Sequence, residues 1–184
     1  MKKALLQGRG LTKVFTQGQV KNKVLDQIDV DIFEKDFTII MGSSGAGKST
    51  LLYALSQMDA VTEGTVTYDG KELTGLKEKQ MAKLRAQEFG FVFQQTHLVS
   101  NLTLLENVAV AGFVSKKGST SQIQSRAQTL LTQMGVEKAE NRLPSQVSGG
   151  EAQRAAIARA MIGNPGLLFA DVNWGNSFGC VSSV

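Results

Sequence analysis

The pattern of apolar and polar residues along the chain predicts strands and helices in alternation. Regular alternation over residues 24–32 indicates a half-buried strand, and the continuous apolar run at 37–41 indicates a buried strand that ends at glycine. Leucines at helical spacing follow from Lys48. Residues 64–73 indicate another strand, with a turn at Asp69-Gly70. The first half of the chain is therefore predicted to place a helix between strands.

The second half of the chain has a helical middle between two strands. Residues 77–89 predict a helix and 90–94 a strand, and 102–135 is mostly helical with a polar break. An alanine-rich helix over 149–162 precedes a buried strand over 166–171 that ends in a carboxylate. Because strands alternate with helices at both ends of the chain, the pattern predicts an α/β sheet with a helical insertion.

Composition predicts a folded, soluble domain whose only route to a membrane is a partner. Of the 184 residues, 42% are hydrophobic and 20% are charged, so the chain can form a core. The net charge of +4 comes from basic residues scattered among acidic ones, which indicates solvated helix faces and no nucleic-acid patch. The single cysteine, Cys180, fits a reducing compartment. No apolar run reaches the length of a membrane span, and Arg9 interrupts the N-terminal run too early for a signal peptide.

A phosphate-binding pattern lies between a predicted strand and a predicted helix. Residues 42–49, GSSGAGKS, fit G-x-x-x-x-G-K-[ST]. Glycines let the backbone turn its N–H groups inward, and the helix N-terminus adds partial positive charge. Lys48 is expected to reach the outer phosphates, and the hydroxyl of Ser49 suits Mg²⁺, which prefers oxygen ligands. The alternative is a glycine-rich turn that only caps a helix, and the strand–loop–helix context favours nucleotide binding.

A second glycine pair opens the predicted helix over 149–162. The sequence VSGGE at 147–151 places the Ser148 hydroxyl and two glycine amides at a helix N-terminus, where an anion is favoured. One triphosphate does not need two cradles in one chain, so we interpret the second as serving nucleotide bound by a neighbouring copy. An ordinary N-capped helix is the alternative, and spacing alone does not exclude it.

These motifs, in this order and spacing, resemble those of the ATP-binding subunits of ABC transporters. GSSGAGKST resembles the Walker A motif, GFVFQQTHL the Q-loop, VSGGE the signature motif and LLFAD the Walker B motif. The resemblance covers about residues 11–171. Details such as LSQMDAVTEGTVTYDG and LTLLENV are most similar to the bacterial branch that serves lipoprotein release, macrolide export and peptide-antibiotic defence.

The resemblance implies a fold and a set of partners. The fold is a P-loop NTPase (RecA-like) α/β core with a helical subdomain: the core with N-terminal strands over 1–95, the subdomain over 96–146, and the signature helix with the Walker B strand over 147–171. The ligands are ATP and Mg²⁺. The partners are a second ATP-binding subunit in a head-to-tail dimer and a membrane permease. The location is cytoplasmic, peripheral on the inner face of the membrane, which is reached only through the permease.

The resemblance also assigns roles to residues. Ser49, Gln94 and Asp171 are the implied Mg²⁺ ligands, and Ser148 and Gly150 contact the γ-phosphate held by the opposite subunit. Phe15 stacks on adenine, unless the ring belongs to the core. The implied nucleotide-binding set is Phe15, Gly42, Ser43, Ser44, Gly45, Ala46, Gly47, Lys48, Ser49, Thr50, Ser148, Gly149, Gly150 and Glu151, and the implied catalytic set is Lys48, Gln94 and Asp171. His97, the only histidine, is expected at the surface.

The resemblance fails after Asp171. The family has a glutamate there, followed by Pro-Thr-Gly, whereas this chain has Val172 followed by NWGNSFGCVSSV. Valine cannot accept a proton, and general-base help contributes about 10²–10⁴ in rate. The family's switch histidine has no counterpart. We therefore expect residues 172–184 to be an aberrant tail, truncated or frameshifted, that leaves the core sheet incomplete with exposed apolar surface. Such a chain binds ATP better than it hydrolyses it.

Two other functions remain open beside the leading one, an ATP-binding subunit that drives a separate permease. A degenerate or fragmentary module would bind ATP with little or no hydrolysis, and Val172 favours it. A DNA-repair or chromosome-maintenance ATPase would share the signature motif. Those ATPases carry long coiled-coil or zinc-binding insertions, and the short middle and single cysteine of this chain argue against them.

Overall fold

The computed structural model of the protein describes residues 2–172 and 178–183. Its strands are β1 (Ala4–Gln17), β2 (Val20–Phe33), β3 (Phe37–Ile40), β4 (Glu63–Tyr68), β5 (Lys71–Glu72), β6 (Phe89–Phe93), β7 (Leu167–Val172) and β8 (Phe178–Ser183). Its α-helices are α1 (Lys48–Leu55), α2 (Glu78–Glu88), α3 (Leu104–Ser115), α4 (Thr120–Gln133) and α5 (Gly149–Met161). Short 3₁₀ turns lie at Glu137–Ala139 and Pro144–Gln146. The mixed α/β fold and the helical middle are confirmed.

The strands form two sheets of four. The first has the order β2-β1-β4-β5, in which neighbouring strands are antiparallel. Asp69 and Gly70 both have positive φ, at 47° and 74°, and make the predicted turn between β4 and β5. The second sheet has the order β3-β8-β7-β6, and β3 pairs antiparallel with β8, from Phe37 opposite Ser182 to Ile40 opposite Gly179.

The chain divides into two compact units, Met1–Lys83 with Phe169–Val184, and Leu84–Leu168. In the first unit, α1 packs against β1 and β2, and its core is apolar. Members of that core are Leu6, Leu11, Leu25, Ile32, Leu52, Leu55, Val66 and Leu73. Within the described residues, no helix is long and apolar enough to cross a lipid bilayer.

The prediction that residues 37–41 form a buried strand is wrong about burial. The strand exists as β3, but the side chains of Phe37, Ile39 and Met41 are 61%, 52% and 70% exposed. An unbroken apolar run was interpreted as a strand covered on both faces. Instead β3 lies at the end of its sheet, and among the described residues nothing covers the face that these alternate side chains share.

The second unit is a three-helix cluster of α3, α4 and α5 around small residues. Gly112 of α3 has no room for a side chain, because a Cβ there would lie 2.6 Å from Ile123 Cγ2 and 2.9 Å from Ile162 Cγ1. Alanines at 127, 155 and 158 are fully buried, and leucines at 104 and 131 fill the remaining space. Small residues let the helix axes approach closely, so the cluster is densely packed.

Each helix of this cluster begins with a capping box. The hydroxyls of Thr103, Ser119 and Ser148 accept the N–H of the third helical residue, whose own side chain accepts the backbone N–H of the cap. The reciprocal side chains are Glu106, Gln122 and Glu151. These bonds satisfy N–H groups that a helix start otherwise leaves without acceptors.

One buried polar side chain, Asn107, organises the segment before α3. Its Oδ1 accepts the Val99 N–H at 2.7 Å, and its Nδ2 donates to the carbonyls of Val99, Leu102 and Thr103 at 3.1, 3.0 and 2.9 Å. Asn107 is fully buried. The amide therefore ties an irregular loop to the first turn of α3.

Replacing Asn107 with alanine is expected to lower the free energy of unfolding by about 2–4 kcal/mol, because backbone groups that it satisfies lose their partners. The exposed Asn101 supplies the control, since N101A is expected to change stability by about 0.5 kcal/mol or less. Urea titrations followed by circular dichroism measure both. Equal midpoints for the two variants would contradict this role of Asn107.

Candidate functional site

The glycine-rich loop joins β3 to α1 and is held open by backbone geometry. Gly45 and Gly47 have left-handed φ values of 81° and 83°, and the Ala46 N–H donates to the Ser43 carbonyl at 3.2 Å. Residues 42–46 are exposed. A positive φ is accessible to glycine at little cost, which explains why this turn requires glycine at both positions.

Gly47 also lies against β2. A Cβ at Gly47 would lie 3.1 Å from both the Val24 carbonyl oxygen and Val24 Cγ1. At Gly45 a Cβ would meet nothing within 4 Å. The loop is therefore anchored to the first sheet at its end, where α1 begins, and projects into solvent at its middle.

The N-terminus of α1 has no side-chain acceptor. Its N-cap is Gly47, no side chain accepts from the first turn, and that turn contains no acidic residue. The first N–H groups of a helix have no partner within the helix, and its dipole adds partial positive charge there. In contrast to α3, α4 and α5, α1 therefore presents donors suited to an anion such as a phosphate.

The ammonium of Lys48 lies over this loop. Its Nζ donates to the carbonyl oxygens of Gly42 and Ser43 at 2.9 and 2.7 Å. An ammonium has three donors, so one remains beyond these two loop contacts. The lysine thus places a positive charge beside the uncapped start of α1.

Oxygen ligands for a metal lie in the same unit. The Ser49 hydroxyl is exposed in the first turn of α1, and Asp171 is at the end of β7. Burial, and then the charge of Asp171, raises the pKa of the Tyr53 phenol on α1. No cluster of three or more His, Cys, Asp or Glu side chains is found in the described part of the chain. This set fits Mg²⁺, which takes one or two carboxylates together with phosphate oxygens.

Phe15 lies on the surface of the first unit and outside its core. The ring is 45% exposed in β1, and the Lys13 ammonium lies 5.0 Å from its centroid. Lys13 is itself held by Asp59, at 2.5 Å. A half-exposed ring fits a stacking role, and the lysine fixes one side of it.

Gln94 and Gln95 are both exposed and follow β6 directly. His97 is also exposed, as expected, although its ring packs edge-on against Phe93 at 5.5 Å. Because Gln94 is a long amide side chain in solvent, its oxygen is accessible to a ligand.

Ser148 and Glu151 are committed to each other at the start of α5. The Ser148 hydroxyl donates to Glu151 Oε2 at 2.7 Å, and the Ser148 N–H donates to the same oxygen at 2.8 Å. The Ser148 hydroxyl and backbone bonds lower the pKa of the Glu151 carboxyl. In this conformation the two side chains therefore form an ordinary helix cap, while Gly149 and Gly150 are exposed.

Sequence analysis did not single out Lys13 or Tyr53, which contact or influence predicted site residues. Side chains two residues apart in a strand lie on the same face, so the spacing of Lys13 from Phe15 was the signal that could have identified this lysine. Tyr53 interrupts the leucines of α1, and only the fold brings Asp171 near it. Residues 173–177 and the side chain of Val172 lie outside what the structure describes.

A comparison of Gly47→Ala with Gly45→Ala separates the effect of the contact with Val24 from the effect of backbone strain. Both substitutions force a left-handed alanine, which costs about 1–2 kcal/mol. G47A adds crowding against Val24, for a total of about 2–4 kcal/mol lost from the free energy of unfolding. Urea titration of the two variants checks this, and an equal loss in both would show that Val24 does not confine the loop.

Comparison with known proteins gives consistent results. The family profile of ABC transporters matches residues 25–172. The lipoprotein-releasing system ATP-binding protein LolD of Wigglesworthia glossinidia brevipalpis is 40% identical over 172 residues, which cover 94% of this chain and 75% of the relative.

Two similar solved structures are a dimeric structure of MJ0796, a bacterial ABC transporter cassette, and a dimeric post-hydrolysis state of the ATP-binding cassette MJ0796 bound to ADP and Pi. Each is 36% identical with a TM-score of 0.86, and covers 91% of this chain and 73% of the solved chain. These matches extend over most of the chain and agree with the motifs read from its sequence. The chain therefore belongs to the ABC transporter family, as an ATP-binding subunit.

Proposed function

We propose that the loop of residues 42–47 and the first turn of α1 hold the triphosphate of ATP. The observation that carries this proposal is the uncapped N-terminus of α1 beside Lys48. Residues 42–50 supply backbone donors, and Lys48 supplies the charge that reaches the outer phosphates. A phosphate oxygen would accept the third donor of the ammonium, which the two loop carbonyls leave over.

Ser49, Asp171 and Gln94 are the proposed ligands of Mg²⁺, all through oxygen. The ion neutralises charge on the phosphates, and the chain's own residues orient the nucleotide. Phe15 is the proposed stacking surface for adenine, supported by its exposure.

We further propose that two copies pair head to tail, with Ser148, Gly149 and Gly150 of each copy facing the nucleotide of the other. The printed titles of both similar structures describe dimers. The exposed glycine amides of α5 support this assignment. The Ser148 hydroxyl would then turn its hydrogen from Glu151 toward a phosphate, since one O–H serves one acceptor at a time.

The segment 96–146 is the proposed permease-docking subdomain, with 1–95 and 147–171 completing the ATP-binding domain. Within that segment, Val99, Val110, Phe113 and Val114 are exposed apolar residues, and the last three lie on one face of α3. A partner that covers this face explains why it is apolar. The location proposed is the cytoplasmic face of the membrane, and the similarity to LolD favours lipoprotein release as the process served.

Turnover is proposed to be slow in this chain, because Val172 stands where the family has its water-polarising glutamate. Binding through backbone donors and Lys48 does not require that carboxylate, whereas the transition state does. The alternative function is a module that binds ATP with little or no hydrolysis, and Val172 is also the residue that favours it.

Lys48→Ala is expected to weaken Mg-ATP binding about ten- to a hundredfold, because one charge-assisted contact is lost. Lys79→Ala, on α2, is the matched control and is expected to bind as the unmodified chain does. Isothermal titration calorimetry measures both. Equal affinity of K48A and the unmodified chain argues decisively against a nucleotide site at this loop.

Val172→Glu is expected to raise the rate of ATP hydrolysis about 10²-fold, the lower end of the range for general-base help. Val172→Gln has nearly the same shape and no basic carboxylate, so it is expected to leave the rate unchanged. Phosphate release at saturating Mg-ATP measures both rates. The account of Val172 fails if the Gln variant gains as much activity as the Glu variant.

A further inference from the structure

Two side chains of α5 hold the segment that follows β6. Arg159 donates from Nη1 to the His97 carbonyl and from Nη2 to the Thr96 carbonyl, both at 2.6 Å. Gln153 Nε2 donates to the Phe93 carbonyl at 3.4 Å. The exposed Gln94 therefore lies between backbone positions that α5 fixes on both sides.

The Arg159 guanidinium has no carboxylate partner within the part of the chain that the structure describes. Partial burial lowers its pKa, because the charged form loses water. Within the described part of the chain, two backbone carbonyl oxygens compensate the charge of the guanidinium. A partly buried charge without a counter-ion costs stability unless hydrogen bonds compensate it, and here those bonds go to the loop after β6.

The backbone of His97 is adapted to this contact. Its φ of 46° is left-handed, which a non-glycine residue rarely adopts. Carbonyls of consecutive residues in an extended chain point in opposite directions, and this turn instead brings two of them to one planar guanidinium. The edge-on packing of the His97 ring against Phe93 closes the same turn.

The distance between α5 and β6 is also fixed by packing. A Cβ at Gly90 would lie 2.5 Å from the Ala160 carbonyl oxygen and 2.8 Å from Leu168 Cδ1. Because β6 and α5 are in direct contact there, the reach of Arg159 to the loop is set by rigid elements and not by the loop itself.

We propose that Arg159 is a positioning residue that, by clamping the Thr96 and His97 carbonyls, sets the Gln94 amide oxygen in place for the Mg²⁺ of bound ATP. This inference rests on the proposed function and adds to it a residue that touches neither nucleotide nor metal. Gln153 supports the other end of the loop.

The test compares Arg159→Met with Arg126→Met in the full chain. Arg126 is the matched control, because its guanidinium also donates to backbone carbonyls of this unit, those of Ile162 and Met161, at 2.9 and 3.3 Å. Calorimetry gives the affinity for ATP with Mg²⁺ and with EDTA. The gain in ATP affinity that Mg²⁺ confers is expected to fall about tenfold in R159M, as for other residues that orient a metal ligand, and to be unchanged in R126M. Affinity in EDTA stays the same in all variants.

Gln94→Ala provides the second arm. If Arg159 acts through Gln94, Q94A reduces the Mg²⁺-dependent gain to a similar degree, and Q94A combined with R159M reduces it no further. The inference is overturned if R159M keeps the full Mg²⁺-dependent gain in ATP affinity. It is also overturned if R126M lowers that gain as much as R159M does. A chain that binds no ATP with Mg²⁺ or with EDTA contradicts the proposed function itself, which is a different result.

Arg159→Lys covers the case in which R159M does not fold. Lysine keeps the charge and donates to one carbonyl but lacks the planar fork. We expect R159K to fold and to lose about threefold of the Mg²⁺-dependent gain, in line with one contact of two. Hydrogen exchange at residues 94–98, measured without nucleotide, is expected to be faster in R159K than in R126M. Unchanged Mg²⁺ dependence in R159K overturns the clamp.

Discussion

The N–H groups that open a helix must find acceptors, and the way this chain meets that constraint distinguishes α1 from α3, α4 and α5. Helices α3, α4 and α5 supply their own acceptors through Thr103, Ser119 and Ser148. Helix α1 supplies none and begins at a left-handed glycine. An uncapped start leaves N–H donors that an anion can complete, so the backbone of α1 favours the proposed phosphate site. The roles proposed for Lys48 and Ser49 add to what the backbone already favours.

The start of α5 differs from the start of α1 because α5 has a carboxylate of its own that accepts hydrogen bonds there. Ser148 and Glu151 form a capping box in which a charged group occupies the place of an external anion. In α4 the neutral Gln122 accepts the Ser119 N–H and donates its own N–H to the Ser119 hydroxyl, while that hydroxyl contacts Ser121. Since the pKa of Glu151 is lowered, its contribution to stability is complete above the ordinary carboxyl pKa and is lost as pH falls through the lowered value. At neutral pH, α5 thus competes for a phosphate less strongly than α1.

What the sequence predicted well was local. The loop of residues 42–47, the helices and strands between residues 24 and 171, and the turn at Asp69-Gly70 each depend on spacing within about ten residues, which a pattern records directly. The strands β1 and β8 were not predicted. The burial of β3 was predicted wrongly, because burial depends on which elements cover a strand, and the run FTIIM has the same composition in either case. Arg159 was missed for a related reason. Arg159 bonds to residues 62 and 63 positions away, and no local pattern marks that pairing.

Binding and turnover place different demands on this chain, and the difference follows from which atoms each one uses. In the proposed site the triphosphate contacts mainly backbone N–H groups of a short contiguous segment, and these donors are independent of side-chain identity outside the loop. Asp171 comes from a distant strand but lies in the same unit as the loop. Proton transfer from water instead needs one carboxylate at one position, and Val172 provides none. Under the proposed function, the loss of that carboxylate leaves most ground-state contacts in place, so the affinity for ATP and the rate of hydrolysis are expected to be separable properties.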